Sequence, residues 1–427
     1  MLNLKPSVIE SALDQAQLSL IVNDQLVQTI QDLKPLFPDL KFYIMSNISR
    51  EHYKMVQRLG LPWAMFDFIF VLHPSQIVMI DDTVENICAA RSVGMYGLLA
   101  NDKASKSGGT LLNLLQDPLP RAEAYLKTHA RNHHCIVEGH ESVTLKDNFA
   151  QLMIWELTGD GNLIYLRWPS GKLHGTANGQ VNGSNGTSTN SDVKNGLWNY
   201  FYEEPVLTSR NFPPDADTTS TAYLSLPIEY LPMVADVELV LDAMATNVDP
   251  DGIMQTYFAL NRPRTTPEVC CNILRVFYRF GHGSDPRIRK TEDWVVSCLK
   301  NNACLYGNRH YSTPESFLYF VARLYVECRP SRLANELETV KGRLEERINV
   351  PTNPLALGLR ILACQLVGID AKLYGKDVEA LLSLQDRDGG WPAGHFCCIG
   401  KTGARIGNRG LATSLAAKII RNERSIL

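Results

Sequence analysis

From about residue 121 onward the chain runs through apolar segments at helical spacing, among them 269–280, 316–325, 355–367 and 411–420, joined by turns rich in Gly, Pro and Asp. Helices with one apolar face bury it by packing as hairpins around a bundle or barrel. The pattern therefore predicts an all-α domain over 121–427. Residues 1–120 follow another rule. Helical stretches there alternate with two short apolar runs: Phe42-Tyr43-Ile44-Met45 ends in Ser46-Asn47, and Gln76-Ile77-Val78-Met79-Ile80 ends in Asp81-Asp82-Thr83. Such alternation predicts an α/β unit on a parallel sheet, whose chemistry belongs at the strand tips. A chain of 427 residues has length for two or three domains, each with its own core.

Composition excludes several classes of function. Hydrophobic residues at 45% and charged residues at 20% describe a globular protein, and a net charge of −3 gives no electrostatic reason to invoke nucleic acid or an anionic membrane. No apolar run has the length of a membrane span, and Met1-Leu2-Asn3-Leu4-Lys5-Pro6 lacks a secretory pattern, so a cytoplasmic protein is expected. The ten cysteines are scattered without a Cys-x-x-Cys, which suits reduced core residues rather than a disulfide framework or a zinc site. Asn-Gly recurs at 178, 182, 185 and 195, and the stretch 170–196 has almost nothing to bury, so a disordered surface loop is expected there. His133, His134 and His140 with Glu138 fit no common ligand spacing and read as solvated histidines on a linker.

Two short strings carry chemistry. Asp215-Ala216-Asp217-Thr218-Thr219 follows Pro213-Pro214. Taken alone it reads as a helix N-terminus, with Asp and Thr capping backbone N–H groups. It also has the makings of a proton donor for carbon. A C=C bond is so weak a base that its protonation needs a carboxylic acid kept neutral in a dry pocket, with a neighbour that sharpens its acidity. An isolated Asp, with a pKa of about 3.9, would be ionised. Burial and a like-charged neighbour raise that value, leaving one carboxyl protonated while the other accepts a hydrogen bond, and the threonine hydroxyls orient the pair. The second string is Gln385-Asp386-Arg387-Asp388-Gly389-Gly390-Trp391. It predicts a helix-terminating turn in which Gln bonds exposed backbone groups, the glycines permit the reversal and Trp packs over helix ends.

With both strings in one helical region, the chain resembles the class II terpene cyclases, which start cyclisation by protonation. The α/β unit ahead of that region narrows the resemblance to the drimane-type sesquiterpene cyclases of fungi and bacteria, which carry a haloacid-dehalogenase-like domain before the cyclase domain. Asp251-Gly252-Ile253-Met254-Gln255-Thr256-Tyr257-Phe258, Arg262-Pro263-Arg264, Pro314-Glu315-Ser316-Phe317-Leu318-Tyr319 and Gly403-Ala404-Arg405-Ile406-Gly407-Asn408-Arg409-Gly410 support it, and it covers nearly the whole chain. It implies a haloacid-dehalogenase-like domain over 1–120 and an α/α-barrel-like cyclase domain over 121–427. It implies that Asp217 is the general acid and that Asp215, with Thr218, holds and polarises it. Farnesyl diphosphate would fold in a hydrophobic cavity and close to a bicyclic drimane cation that loses a proton. Aromatic faces for the cation would come from Trp198, Tyr202, Tyr223, Tyr257, Phe258 and Trp391. The diphosphate would be gripped by Arg262, Arg264, Arg309, Lys401, Arg405 and Arg409, with Lys401-Thr402-Gly403-Ala404-Arg405 resembling a glycine-rich anion cradle.

The segment 77–86 resembles the acidic motif of haloacid-dehalogenase-like phosphatases, with Ser46 matching their phosphate-binding residue and Asp81 and Asp82 as ligands for Mg²⁺. Asp81, Asp82 and Glu85 also match the metal motif with which class I terpene synthases ionise a diphosphate. The phosphatase nucleophile is missing, since Asp14, Asp24 and Asp32 lie in helical, polar sequence. The run 66–71, an expected strand, leads almost directly into Leu72-His73-Pro74-Ser75-Gln76, where the family has a lysine-bearing segment. A phospho-aspartyl mechanism cannot operate without these groups, so the domain is expected to be degenerate, a structural remnant or at most a metal-assisted diphosphate binder. Four functions are thereby in play. They are a cyclase that releases a drimane diphosphate to separate phosphatases, a bifunctional cyclase that gives an alcohol of the drimenol or albicanol type, a phosphomonoester phosphatase, and a non-enzymatic helical module resembling a prenyltransferase subunit.

Overall fold

The structure is a computed structural model and describes residues 15, 22–44, 56–67, 73–100, 112–113, 115–140, 142–169, 174–175 and 196–426. Ser46, residues 68–71 of the expected strand and nearly all of the loop 170–196 lie outside the described residues. The chain divides into two compact units, Met1–Gln116 and Asp117–Leu427.

In the first unit, Val78–Asp81 pairs in parallel with Tyr96–Leu99, Asp81 standing opposite Leu99 at the strand tip. Parallel pairing needs a crossover, and the helix Val84–Ser92 makes it. Gly97 lets that helix lie close, because a Cβ there would stand 2.8 Å from Ile87 Cγ2. The first apolar run behaves differently from expectation: residues 42–44 form no strand. Phe42 N–H donates to Asp67 Oδ2 at 3.1 Å and Asp67 N–H donates to Phe42 O at 2.6 Å, a clasp between two loops in place of a ladder.

The second unit is a ring of helices. Asn148–Thr158 packs on Ala216–Ser225, which packs on Pro267–Arg279; then follow Pro314–Glu327, Pro354–Val367 and Arg409–Ile426, which returns to Asn148–Thr158 and closes the circuit. Pro118–Thr128, Arg289–Lys300 and Ala371–Ser383 pack on single members of the ring from outside. Local chemistry starts these inner helices at defined residues. Asp147, Asp215 and Asn353 accept N–H bonds as N-caps, and Pro267, Pro314 and Pro354 occupy first-turn positions where a missing N–H costs nothing. The interior is filled by large side chains such as Tyr223, Phe277, Tyr319 and Phe320, each contributing about 1.5–3 kcal/mol on burial.

The unit is not all-α. Thr144–Leu145, Cys135–Val137, Arg405–Gly407 and Cys397–Cys398 form, in that order, an antiparallel four-stranded sheet, and Leu166–Arg167 pairs with His174–Gly175. Strands of two or three residues are too short to show a period of two, which is why the sequence pattern did not disclose them. His133 is also not solvated: it is 3% exposed, its Nε2 bonds Leu126 O at 3.1 Å, and burial lowers its pKa to about 4.

The turn 385–391 has the predicted design. Gln385 Nε2 donates to Pro118 O and Gly389 O, Gly389 adopts φ +89°, and Trp391 is fully buried with its indole N–H donating to Leu381 O at 2.7 Å.

Candidate active site

A cavity of about 460 Å³ opens where the inner helices begin. Its walls come from the N-terminal ends of the helices Asn148–Thr158 and Ala216–Ser225, from the loops 256–264 and 309–311 ahead of the next two, and from the small sheet. Helix N-termini carry partial positive charge and suit carboxylates and phosphates.

Asp215 and Asp217 both line this cavity, and they do different things. Asp215 is the N-cap: Oδ1 accepts from Thr218 N–H at 2.7 Å and Oδ2 from the Thr218 hydroxyl at 2.9 Å. The capping reading of the string thus falls to Asp215. Asp217, in the first turn of the helix and 8% exposed, is held by groups from the neighbouring helix Pro267–Arg279 and from the loop ahead of Pro314–Glu327. Its Oδ1 accepts from Asn272 Nδ2 at 2.9 Å, and its Oδ2 accepts from the Tyr311 hydroxyl. The expectation that Asp215 grips Asp217 by a hydrogen bond is therefore replaced by a grip from Asn272 and Tyr311.

Burial raises the Asp217 carboxyl above its ordinary range, while the bonds from Tyr311 and Asn272 pull it back. Burial also raises Asp215 to about 7, against the Thr218 N–H bond, with the charge of Asp217 adding to the rise. The site thus combines a buried carboxyl whose neutral form is favoured by desolvation with two donors, Tyr311 and Asn272, that would stabilise its ionised form. Tyr311→Phe should remove one of those donors, raise the Asp217 pKa and weaken it as an acid. The expected result is a kcat about tenfold lower with an alkaline limb displaced to higher pH, read from a pH–rate profile.

Positive charge lies toward the mouth. Arg264 is half-buried, donates to Tyr257 Oη at 3.2 Å and Thr266 Oγ1 at 3.0 Å, and stands 5.4 Å from the Tyr257 ring. Arg262 lies over Phe212 at 5.2 Å, and the exposed Arg309 and Lys401 complete the group. Six aromatic side chains line the same cavity: Phe149, Tyr200, Phe201, Phe212, Tyr257 and Tyr311.

Comparison with known proteins adds the family. Residues 119–280 match the family model described as the sesquiterpene cyclase astC-like C-terminal domain. Over 404 residues the chain is 33% identical to the drimenol cyclase drtB of Aspergillus calidoustus, covering 89% of this chain and 70% of that protein. This chain belongs to the drimane-type sesquiterpene cyclases. Similar solved structures include the type II terpene cyclase MstE from Scytonema in its apo form, with 12% identity, a TM-score of 0.46 and coverage of 74% of this chain and 100% of that one. A variant of MstE in complex with geranylgeranyl dihydroxybenzoate has 13% identity and a TM-score of 0.47, covering 74% of this chain and 99% of that one.

Several sequence candidates of this terpene cyclase fall outside the cavity lining. Trp391 belongs to the buried turn. Arg409 binds Asp386 at 2.8 Å and Asp388 at 2.9 Å over the Tyr125 ring, bracing that turn. Arg405 is exposed and pairs with Glu138 at 3.6 Å. Of the aromatic candidates, only Tyr257 lines the cavity; Trp198, Tyr202, Tyr223 and Phe258 pack elsewhere in the unit. The segment 401–405 is a hairpin turn rather than an open anion cradle. Thr402 and Gly403 N–H groups both donate to Ile399 O, and Ala404 N–H donates to Thr402 Oγ1, leaving Lys401 to face the cavity.

The acidic motif of the cyclase's first unit is not arranged as a metal cage. Asp81 Oδ1 accepts from Thr83 N–H at 2.8 Å and Asn86 Nδ2 at 3.0 Å, bonds that lower its pKa, while Asp82 and Glu85 are exposed. Among the described residues no three His, Cys, Asp or Glu side chains converge as a metal group. No helix among the described residues is long and apolar enough to cross a membrane.

Proposed function

We propose that this cyclase folds farnesyl diphosphate into the cavity with its terminal alkene at Asp217 and its diphosphate at Arg262, Arg264, Arg309 and Lys401. The alkene π electrons take the Asp217 proton, forming a C–H bond and a tertiary cation. The next two alkenes attack in turn, closing two rings, and the bicyclic cation loses a proton to give a drimane-type diphosphate. The observation that supports this most is one cavity lined by a buried, raised carboxyl, by more exposed cations and by six aromatic rings.

The Asp217 carboxylate left after proton transfer is stabilised by Asn272 and Tyr311. The rings attract the moving cation by their faces and exclude water that would trap it. The arginine forks hold the diphosphate while protonation proceeds at the far end. The diphosphate leaves with the product and is removed by separate phosphatases. The first unit is proposed as a degenerate haloacid-dehalogenase-like domain, supported by its parallel strand pair with Asp81 at the tip, and no step passes through it.

The test is incubation of the full chain with farnesyl diphosphate and Mg²⁺, followed by mass spectrometry with and without added phosphatase. A drimane alcohol that appears only after phosphatase treatment is the expected result. An alcohol released directly would assign diphosphate removal to this chain. Absence of any bicycle would overturn the proposal.

A further inference from the structure

Behind Asp217 lies a buried carboxylate that takes no part in the chemistry described above. Glu268 is 0% exposed, sits in the first turn of the helix Pro267–Arg279, and is one helical turn from Asn272, the residue that bonds Asp217 Oδ1. Residues at i and i+4 share a helix face, so Glu268 and Asn272 face the same neighbours. Both Glu268 oxygens accept from Asn308 Nδ2, each at 2.9 Å. The other end of the Asn308 amide is equally occupied: Oδ1 accepts from the N–H groups of His310 and Tyr311, each at 2.9 Å, and Asn308 N–H donates to Tyr311 O at 2.6 Å.

That pattern folds the loop 308–311 around one amide. Gly307 makes the fold possible, with φ +69° and a hypothetical Cβ only 2.6 Å from Tyr311 O. Tyr311 in turn delivers its hydroxyl to Asp217 Oδ2.

We infer that Glu268 is a positioning residue for proton transfer, acting through Asn308 to fix the loop that presents Tyr311 to Asp217. One helix then supplies both anchors of the acid, Asn272 directly and Glu268 by way of Asn308 and Tyr311. A fully buried carboxylate is costly unless its oxygens are paired. Here Asn308 pairs both oxygens, and the same amide holds the loop that carries the Tyr311 hydroxyl. The inference rests on Asp217 being the proton donor.

The experiment is steady-state kinetics on Glu268→Ala, Glu268→Gln, Tyr311→Phe and the double variant Glu268→Ala/Tyr311→Phe, with Asp217→Asn as control. Glu268→Ala should lower kcat at least tenfold with less than a threefold change in KM. Glu268→Gln, which keeps an acceptor for Asn308, should recover to within about threefold of wild type. The double variant should be no slower than the slower single variant, because both changes break one chain of contacts. Effects that multiply in the double variant, or a folded Glu268→Ala enzyme within twofold of wild type beside an inactive Asp217→Asn, would overturn the inference alone. An active Asp217→Asn enzyme would overturn the function beneath it. Should Glu268→Ala fail to fold, Asn308→Ala, at a half-buried position, carries the same comparison with Tyr311→Phe.

Discussion

Asp217→Asn is expected to lower kcat for cyclisation by about a thousandfold or more while leaving the helix ring folded. General acids contribute roughly 10²–10⁴-fold in ordinary cases, and an alkene is so weak a base that it depends on such an acid more than most substrates do. An amide has nearly the shape of the carboxyl and can still pair with Asn272 and Tyr311, so packing should survive. The same change should raise thermal stability at alkaline pH. Asp217 is held above its ordinary pKa by burial, so folding favours its neutral form more than the unfolded chain does. Stability from such a group is complete below its ordinary pKa and is lost as pH rises through the folded one. Asp215 behaves likewise, between its ordinary 3.8 and about 7. Removing the Asp217 ionisation should therefore raise stability at pH 8 by roughly 1–3 kcal/mol, the usual cost of an imperfectly compensated buried charge, with a smaller gain at pH 5. Thermal melts at the two pH values measure this. An Asp217→Asn enzyme that cyclises at the wild-type rate would contradict the role assigned to the residue.

Arg264→Ala is expected to lower kcat/KM for farnesyl diphosphate by about a hundredfold, acting on both parameters. Arg264 is the best-connected cation of the cavity: it bonds Tyr257 and Thr266, and its charge lowers the pKa of Asp215, Asp217 and Glu268. Losing a charge-assisted bond to a diphosphate oxygen costs about 1.5–3 kcal/mol, which raises KM. Losing the charge also makes the Asp217 carboxylate harder to leave behind, which lowers kcat. Arg264→Lys should recover only part of the loss, since lysine restores the charge without the planar fork. An unchanged KM in Arg264→Ala would place the diphosphate elsewhere.

The sequence disclosed the parts of this site that are local in the chain. Asp215, Asp217 and Thr218 lie within one helix turn, so their capping and acid chemistry could be read from four adjacent positions. Asn272 and Tyr311 could not, because they stand 55 and 94 residues from Asp217 and meet it only when the ring closes. The succession of inner helices was legible from apolar spacing, whereas the small sheet that supplies Leu145, Cys397, Cys398 and Ile406 to the cavity was not. Arg405, Arg409 and Trp391 show the opposite error. Their motifs are real, yet two of them brace a turn and the third pairs at the surface, because charge and aromaticity in a string do not reveal which face of the fold it occupies. In the first unit, Asp81 stood at a strand tip as expected, but the run 42–44 became a loop clasped by Asp67.

Cyclisation of farnesyl diphosphate in D₂O, with the position of the label found by NMR after phosphatase treatment, asks directly whether a protein acid starts the reaction. Proton donation from Asp217, whose acid proton exchanges with solvent between turnovers, leads to a bicycle carrying one deuterium on the carbon that was the terminal alkene's methyl-free position in the forming ring system, and to no labelled bicycle from Asp217→Asn. A bicycle formed at the same rate without deuterium at that carbon would mean that the reaction begins by loss of diphosphate, and not by protonation.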